Sequence, residues 1–470
     1  MKPKKKELSG PRDMISGLHD ELICHILSFL PTKEAASTSV LAKRWKHLFA
    51  FVPNLDFDDS LYCHPPRTNQ RRRENSESFL EFVDSVLALK EQVKAPLNRF
   101  HLKCQDVVDA SWVSHWIENV LKRGVSDLDI YMSSPWPSLD SIFEILPSEM
   151  YVSKTLVRLK LRFRGSVCIE LVDDVSLPNL KTLHLDCFQI EKSMFDKLLS
   201  GCHALEELVM VNLMLRWDSR EPEPLHVTIS IPTLKRLKFC RFELSSESVL
   251  LSFDTPKLVY FEYAATIADM YQKLRFESLV EARLKLRMSF HQTETDKINV
   301  KDLLMGIRNV KILYLSDETL EVLAHFPEII PVFKNLIQLT IKTKPYVQWD
   351  ALPTLLRKCP NLQTLVFKGL HHKYTNRCEV KDGCLCNMVV HTCLSSSPVK
   401  VLKILKFGET FDHDDDTEKQ IEQVKHFLET MPSLEQVMLY YNTPIITNDQ
   451  DVKKVFMKLL ELPIVVASAK

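Results

Sequence analysis

Glycine is scarce in this chain. Nine of 470 residues are glycine, about 2% where soluble proteins usually carry ~7%. Loops that cradle phosphate bring backbone close to the ligand and need glycine for it; neither GxGxxG nor GxxxxGK[ST] occurs, which argues against a nucleotide-binding fold. Net charge is missing too: 61 basic side chains meet 61 acidic ones, so no global field points to nucleic acid or an anionic membrane. No apolar run approaches the ~18 residues of a membrane span. The first residues, KPKKKELSGPRD, lack the apolar core of a secretory signal. Twelve scattered cysteines then read as reduced intracellular thiols, and the expected location is cytoplasmic, nuclear or both. No nucleophile motif stands beside His101, His115, His203 or His226. The expectation is a protein that is not an enzyme and takes no cofactor.

Two clusters resemble metal sites and fit poorly. Cys378, Cys384, Cys386, His391 and Cys393 are spaced Cys-x5-Cys-x-Cys-x4-His-x-Cys, unlike the paired ligands that bring four donors together around zinc; free cysteines in a loop, with Cys393 buried, is the reading. His413 to Asp416 lacks the glycine and terminal glutamate of a calcium loop and reads as an exposed acidic loop. Lys2, Lys4, Lys5 and Lys6 make a basic tail, open to two readings, a solvated terminus or an import signal.

What is abundant is leucine in two patterns. Between Asp13 and Phe49 lie three short amphipathic segments: Leu18, Leu22, Ile23, Ile26, Leu27 and Leu30 at helical intervals, then Ala35 to Leu41, then Trp45, Leu48 and Phe49. A module this small buries too little apolar area to be comfortable alone and carries no visible staple, so its surface is expected to be completed by another protein. The stretch His64 to Asn75, HPPRTNQRRREN, reads as an exposed basic loop; Ser76 then caps a helix carrying Phe79, Phe82, Val83, Val86 and Leu87.

From Leu97 the unit L-x-x-L-x-L recurs, as in Leu156-Leu159-Leu161, Leu180-Leu183-Leu185, Leu234-Leu237-Phe239, Leu362-Leu365-Phe367, Leu402-Leu405-Phe407 and Leu434-Val437-Leu439, mostly 21 to 31 residues apart. That period is a leucine-rich repeat, one short strand and one return segment per unit. Pro178, Pro232, Pro256, Pro360 and Pro432 precede five of the units and are expected to end the return and launch the strand. Longer returns read helical, as at Leu352, Leu355 and Leu356 and at Ile421, Val424, Phe427 and Leu428. The ninth position, where the repeat wants Asn or Cys, holds Phe188, Leu213, Phe242 and Leu370, so apolar wedges are expected in place of a polar ladder. Residues between and just after the last two leucines alternate out of the core onto a concave face: Lys160, His184, Lys238, Glu262, Arg283 and Tyr314 are the candidate substrate contacts, with Asp129, Lys342, Lys368 and Lys406 among the others. A binding surface and a merely solvated sheet both fit this mixed charge.

The fold class is therefore α/β: a three-helix module followed by an irregular solenoid with parallel strands inside and helices outside. The expected divisions are 1–12, a basic tail; 13–52, the helical module; 53–96, a linker; 97–377, repeats; 378–445, a continuation of the solenoid; and 446–470, a C-terminal segment.

The N-terminal module resembles the F-box of plant F-box proteins at Asp13, Ile15, Ser16, Leu18, Asp20 to Leu22, Ile26 to Lys33, Thr38 to Leu41 and Lys43 to Trp45; it departs at His19, where that family has proline. The segments Cys393 to Glu409 and Glu418 to Leu439 resemble the FBD region of F-box proteins with leucine-rich repeats. The resemblance implies a substrate receptor of an SCF-type ubiquitin ligase. Its F-box would dock a Skp-type adaptor through Leu18, Leu22, Ile23, Ile26, Leu27, Leu30, Pro31 and Trp45, joining cullin and RING subunits indirectly. The repeats would hold a protein substrate; neither nucleic acid nor membrane is implied.

Overall fold

The computed structural model describes residues 15, 17–61, 69–105, 108–133, 146–169, 174–216, 225–240, 249–288, 294–344, 349–371, 394–409, 416–441 and 465–469. The chain forms two compact units, Met1–Leu205 with Met214–Arg216, and Glu206–Leu213 with Trp217–Lys470.

The first unit opens with three helices, α1 (Asp20–Leu27), α2 (Thr32–Ser37) and α3 (Lys43–Phe49). The chain then enters the sheet at once. Strand β1 (Asn54–Asp58) pairs in parallel with β2 (Arg99–Cys104) across the long helix α4 (Asn69–Gln92), and α5 (Ala110–Lys122), β3 (Asp127–Met132), β4 (Arg158–Ile169), β5 (Thr182–Glu191) and α6 (Lys192–Ser200) follow. The sheet thus begins inside the segment expected to be a linker. Residues 69–75, expected in a loop, belong to α4, which starts seven residues before Ser76; the arginines there carry no apolar period to betray the helix.

In the second unit β6 (Glu207–Val211) is followed, after β7 (Met214–Arg216) of the first unit, by β8 (Leu225–Ser230), β9 (Arg236–Cys240), β10 (Val249–Asp254), β11 (Tyr260–Thr266), β12 (Met270–Arg275) and β13 (Glu281–Arg287). Then come α7 (Glu294–Gly306), β14 (Ile312–Leu315), α8 (Asp317–His325), β15 (Gln338–Lys342), α9 (Leu352–Arg357), β16 (Thr364–Lys368), β17 (Val401–Phe407), α10 (Asp416–Thr430), β18 (Gln436–Tyr441) and β19 (Val465–Ala469). The parallel order is β6-β9-β11-β13-β14-β15-β16-β17-β18-β19, and a second parallel sheet runs β12-β10-β8. The returns that carry β8, β10 and β12 are therefore extended; Leu225, Val227 and Ile229 alternate with exposed partners, a period of two that a helix cannot bury. The C-terminal segment after residue 446 contributes β19 to the main sheet.

The repeat leucines are the core. Phe100, Leu128, Leu159, Leu183, Leu237, Phe261, Ala282, Leu313, Leu339 and Leu365 are at most 1% exposed, and full burial of one such large side chain stabilises by about 1.5–3 kcal/mol. The five prolines act at one place. In each case the residue before proline accepts a hydrogen bond from the leucine two residues after it, as from Leu180 N to Leu177 O (3.2 Å), Leu258 N to Thr255 O (3.0 Å) and Leu434 N to Met431 O (3.1 Å). Proline, fixed near φ −65°, occupies the second position of a β-turn that aims the chain into the strand.

One register differs from expectation. Leu365 stands opposite Leu402 and Phe367 opposite Ile404, so the unit reads Val399-Leu402-Ile404, three residues earlier than Leu402-Leu405-Phe407. Lys406 consequently leaves the strand face: it sits at φ 61° and pairs with Glu409 at 2.6 Å.

Of the ninth-position residues, Leu213 and Leu370 are buried apolar wedges as expected, while Phe242 and the Phe188 side chain lie outside the described residues. Polar seals nevertheless exist elsewhere. Thr319 Oγ1 donates to Leu284 O (3.0 Å) and accepts from Leu286 N (2.9 Å), and Gln420 Oε1 accepts from Gly408 N (2.9 Å) while its Nε2 donates to Glu409 O (3.1 Å). Each satisfies backbone groups where a strand ends, the task an asparagine ladder would perform.

Candidate functional site

Candidate surfaces lie on the N-terminal helical module and on the open sheet side of each unit. On α1 the helical period of 3.6 divides neighbouring apolar residues between two faces. Ile23 and Leu27 are fully buried, whereas Leu22 and Ile26 are 49% and 45% exposed. Ile23 and Leu27, expected at the adaptor, are therefore corrected to the module's own core; Ala35, Leu48 and Phe49 of the same module are buried too. Leu18, Leu30, Pro31 and Trp45 are half-buried. Exposed apolar residues that sequence reasoning left out are Ile15, Phe29, Val40 and Leu41, the last three more than 70% exposed. Phe29, Val40 and Leu41 lie within the quoted F-box pattern, and that was the available signal. So much large apolar surface within a single small module marks an interaction site.

His19 precedes α1 at φ −62° and ψ 149°, and its carbonyl accepts from Leu22 N (3.0 Å) and Ile23 N (3.1 Å). Proline would take that φ without strain. His19→Pro is expected to stabilise the chain by about 0.4–1 kcal/mol through the entropy of the unfolded state, read as a higher urea midpoint with an unchanged slope. Arg44 ties α3 to the start of α1, its Nε on Asp20 Oδ1 (2.7 Å) and its Nη2 on Leu18 O (2.6 Å); both side chains are exposed, so this tether contributes about 1 kcal/mol at most.

The module is seated firmly on the first sheet. Thr32, buried on α2, accepts from Asp56 N of β1 (2.7 Å). Lys90 of α4 is fully buried and donates its Nζ to the carbonyls of Ala50 (3.3 Å) and Val52, just past α3. Burial, reinforced by Arg123, lowers the Lys90 amine to about 8.

Each unit also has an open sheet side. In the first unit Lys160 and His184 are register neighbours. Burial lowers the His184 imidazole, with Arg162 and Lys160 adding to it against Asp186 and Asp129. Asp129 is covered rather than presented, 6% exposed beneath Arg162 at 2.7 Å. Arg162 also lies over the Tyr131 ring at 5.4 Å. His101 Nδ1 meets Asp56 Oδ1 at 2.7 Å.

In the second unit Lys238, Glu262, Arg283 and Tyr314 stand side by side on β9, β11, β13 and β14. Lys238 pairs with Glu262 (3.0 Å), which also accepts from Tyr260 Oη (2.7 Å), and Arg283 pairs with Glu281 (2.7 Å). Arg236 lies over the Tyr260 ring at 4.2 Å, and Arg283 lies between Tyr260 and Tyr314 at 5.6 and 5.9 Å. Burial raises both phenols, Tyr260 further through Glu262 and Tyr314 through Asp317. Tyrosine and arginine stacked on a rigid strand lattice are the residue types that dominate protein interfaces.

At the edge of this face Asp317 is fully buried between Lys344 (2.7 Å) and Lys342 (3.0 Å). Burial would raise its carboxyl, but the two ammonium groups outweigh that and hold it at about 2. A folded-state value below the unfolded 3.8 contributes stability that is present above pH 3.8 and lost as pH falls through 2. Between pH 5 and 2 the wild type is expected to lose about 2 kcal/mol more than Asp317→Asn in urea unfolding.

The cluster from Cys378 to Cys393 and residues 413–415 lie outside the described residues, as does the lysine tail. Among the described residues no group of three His, Cys, Asp or Glu side chains is placed to hold a metal, and no helix is long and apolar enough to cross a membrane.

Comparison with known proteins bears on these surfaces. A family model for the F-box domain matches residues 15–56, and one described as FBD-associated F-box protein At5g56370, LRR repeats, matches residues 113–268. An F-box/LRR-repeat relative from Arabidopsis thaliana, At5g41840, is 58% identical across 98% of this chain and 95% of its own length. The F-box/LRR-repeat protein At4g14096 of the same plant is 49% identical across 98% and 94%. An F-box/FBD/LRR-repeat relative, At3g59240, is 48% identical across 92% and 84%. Similarity at this level over nearly the whole length places the chain in the family of F-box proteins that carry leucine-rich repeats.

Proposed function

We propose that this chain is the substrate-recognition subunit of an SCF-type ubiquitin ligase. The observation that carries the reading is the division of α1: Ile23 and Leu27 close the module's own core while Leu22, Ile26, Phe29, Val40 and Leu41 stay exposed on it. In this reading that surface docks a Skp-type adaptor, with Leu18, Leu30, Pro31 and Trp45 at its margins, and cullin and RING subunits join through the adaptor. The open sheet face of the second unit, with Lys238, Glu262, Arg283 and Tyr314, holds the protein substrate; Lys160 and His184 are candidate contacts on the first unit's own face. The chain supplies no catalytic group. It accelerates transfer by keeping substrate lysines close to a ubiquitin-charged enzyme, a gain in effective concentration. Such a subunit works in the cytoplasm or nucleus.

The test is capture of a purified Skp-type adaptor by the purified chain. Binding at micromolar adaptor or below is the expected result. Absence of binding at that concentration would overturn the reading in favour of a free-standing repeat scaffold.

A further inference from the structure

The charges on the open face of the second unit do not cancel. Its carboxylates are each matched: Glu207 with Arg236 (3.6 Å), Glu262 with Lys238 (3.0 Å), Glu281 with Arg283 (2.7 Å), Glu318 with Lys285 (3.4 Å), and Asp317 with both Lys342 (3.0 Å) and Lys344 (2.7 Å). Lys368 and Lys403 remain, half-exposed and with no carboxylate partner among the described residues. Among these thirteen side chains eight are cations and five are carboxylates. The surplus is local. Lys368 is the direct register neighbour of Lys342 on β15, and Lys403 lies on β17, the next strand, two residues before the Leu405 that faces Lys368. Because strand side chains alternate, residues 403 and 405 share the face that carries Lys368.

Like charges side by side on a sheet destabilise it. Asp317 draws Lys342 away and leaves its neighbours uncompensated. At the other end of the same lane stands the Arg236, Tyr260, Arg283 and Tyr314 stack, whose charges are already balanced and whose rings offer apolar area. From β13 to β17 the sheet advances four strands, about 19 Å at ~4.8 Å per strand, the length of roughly six extended residues.

We propose that the second unit's open face takes an extended acidic peptide segment of the substrate protein, its carboxylates on Lys368 and Lys403 and an aromatic or apolar residue on the tyrosine–arginine stack. This inference rests on the substrate-receptor reading and specifies the chemistry of what that receptor holds. Charge complementarity supplies the selectivity: an anion completes the two lysines, while a basic segment adds to a repulsion already present.

The test is selection of a random decapeptide display library on the purified full chain, in parallel with Lys368→Glu/Lys403→Glu. Wild type is expected to enrich peptides with at least two Asp or Glu residues, and the affinity of the best of these should fall by about tenfold or more on the double variant. The variant should enrich Lys and Arg instead. Both substitutions are at half-exposed positions, and the unchanged melting temperature and adaptor capture of the variant report an intact fold. No charge preference in wild type, or the same acidic preference in the variant, would overturn the proposal. A wild-type preference for a phosphoserine library over the Asp and Glu sequences would overturn the carboxylate as ligand and replace it with a phosphorylated segment. Adaptor capture is read separately, so acidic selection without adaptor binding would overturn the ligase reading and leave the acidic-peptide face standing on a scaffold.

Discussion

Leu22→Asp and Ile26→Asp are each expected to abolish adaptor capture while leaving the chain folded, and Ile23→Asp and Leu27→Asp to unfold the N-terminal module. The four positions share one eight-residue helix, and only their exposure separates them: 49% and 45% against 0% and 0%. At the first pair the carboxylate stays in water until the partner arrives, when burying it unpaired costs about 3–5 kcal/mol, a hundredfold or more in affinity. At the second pair the same carboxylate has no water in the folded chain itself. Pull-down together with circular dichroism melting distinguishes the two. Retention of binding by Leu22→Asp and Ile26→Asp together would remove α1 from the interface.

Lys90 is expected to give a pH dependence of stability in alkali that a single substitution isolates. Its folded-state value near 8 lies below the unfolded 10.5, so the folded chain binds its proton more weakly than the unfolded chain does. Folding therefore carries a penalty that is complete below pH 8 and relieved as pH rises through 10.5, about 3 kcal/mol in all. Lys90→Met removes the titrating group. The expected result is that wild type gains about 3 kcal/mol relative to the variant in urea unfolding between pH 7 and pH 11. Using the difference removes the buried phenols such as Tyr151, raised by burial, which titrate alike in both proteins. Parallel curves for the two proteins would mean that water reaches the Lys90 ammonium. The alternative measurement is amide exchange across residues 50–52, where the lysine holds the carbonyls of Ala50 and Val52; faster exchange in the variant is expected if the seat also orders the chain behind α3.

Much of the repeat was legible because two independent signals coincide in it. Leucine spacing marks the strands, and proline two residues before a leucine marks the turn that launches them, as at Pro256 and Leu258. Where the proline does not stand two residues before a leucine, spacing misled: in SPVKVLKILKF, Ser397 to Phe407, Pro398 directly precedes Val399, two apolar triads lie three residues apart, and pairing with β16 chooses Val399-Leu402-Ile404. The candidate sheet residues Lys238, Glu262, Arg283 and Tyr314 came from alternation, which fixes a face but not a partner; Asp129 obeys the same alternation and is nevertheless covered by Arg162. On α1 the apolar positions cover about half of the helix circumference, and periodicity does not say which part of that face meets the chain's own core. Lys90 gave no signal at all, since a lysine near a helix end reads as a solvated charge, and its carbonyl partners are 38 and 40 residues away.

The local seals at the strand ends bear on how such a chain changes over generations. A continuous asparagine ladder ties each repeat to the next, so lengthening one return breaks a bond in its neighbour as well. Here Gln420 closes the end of β17 from the helix of that strand's own return, and Thr319 closes the end of β13 from the helix that follows β14. The interval between equivalent leucines can then drift, from 26 residues between Leu336 and Leu362 to 37 between Leu362 and Val399, while the strands at both ends keep their pairing. A gene for this fold can accept insertions one return at a time, and duplicated copies can diverge in what they grip without first relearning how to fold.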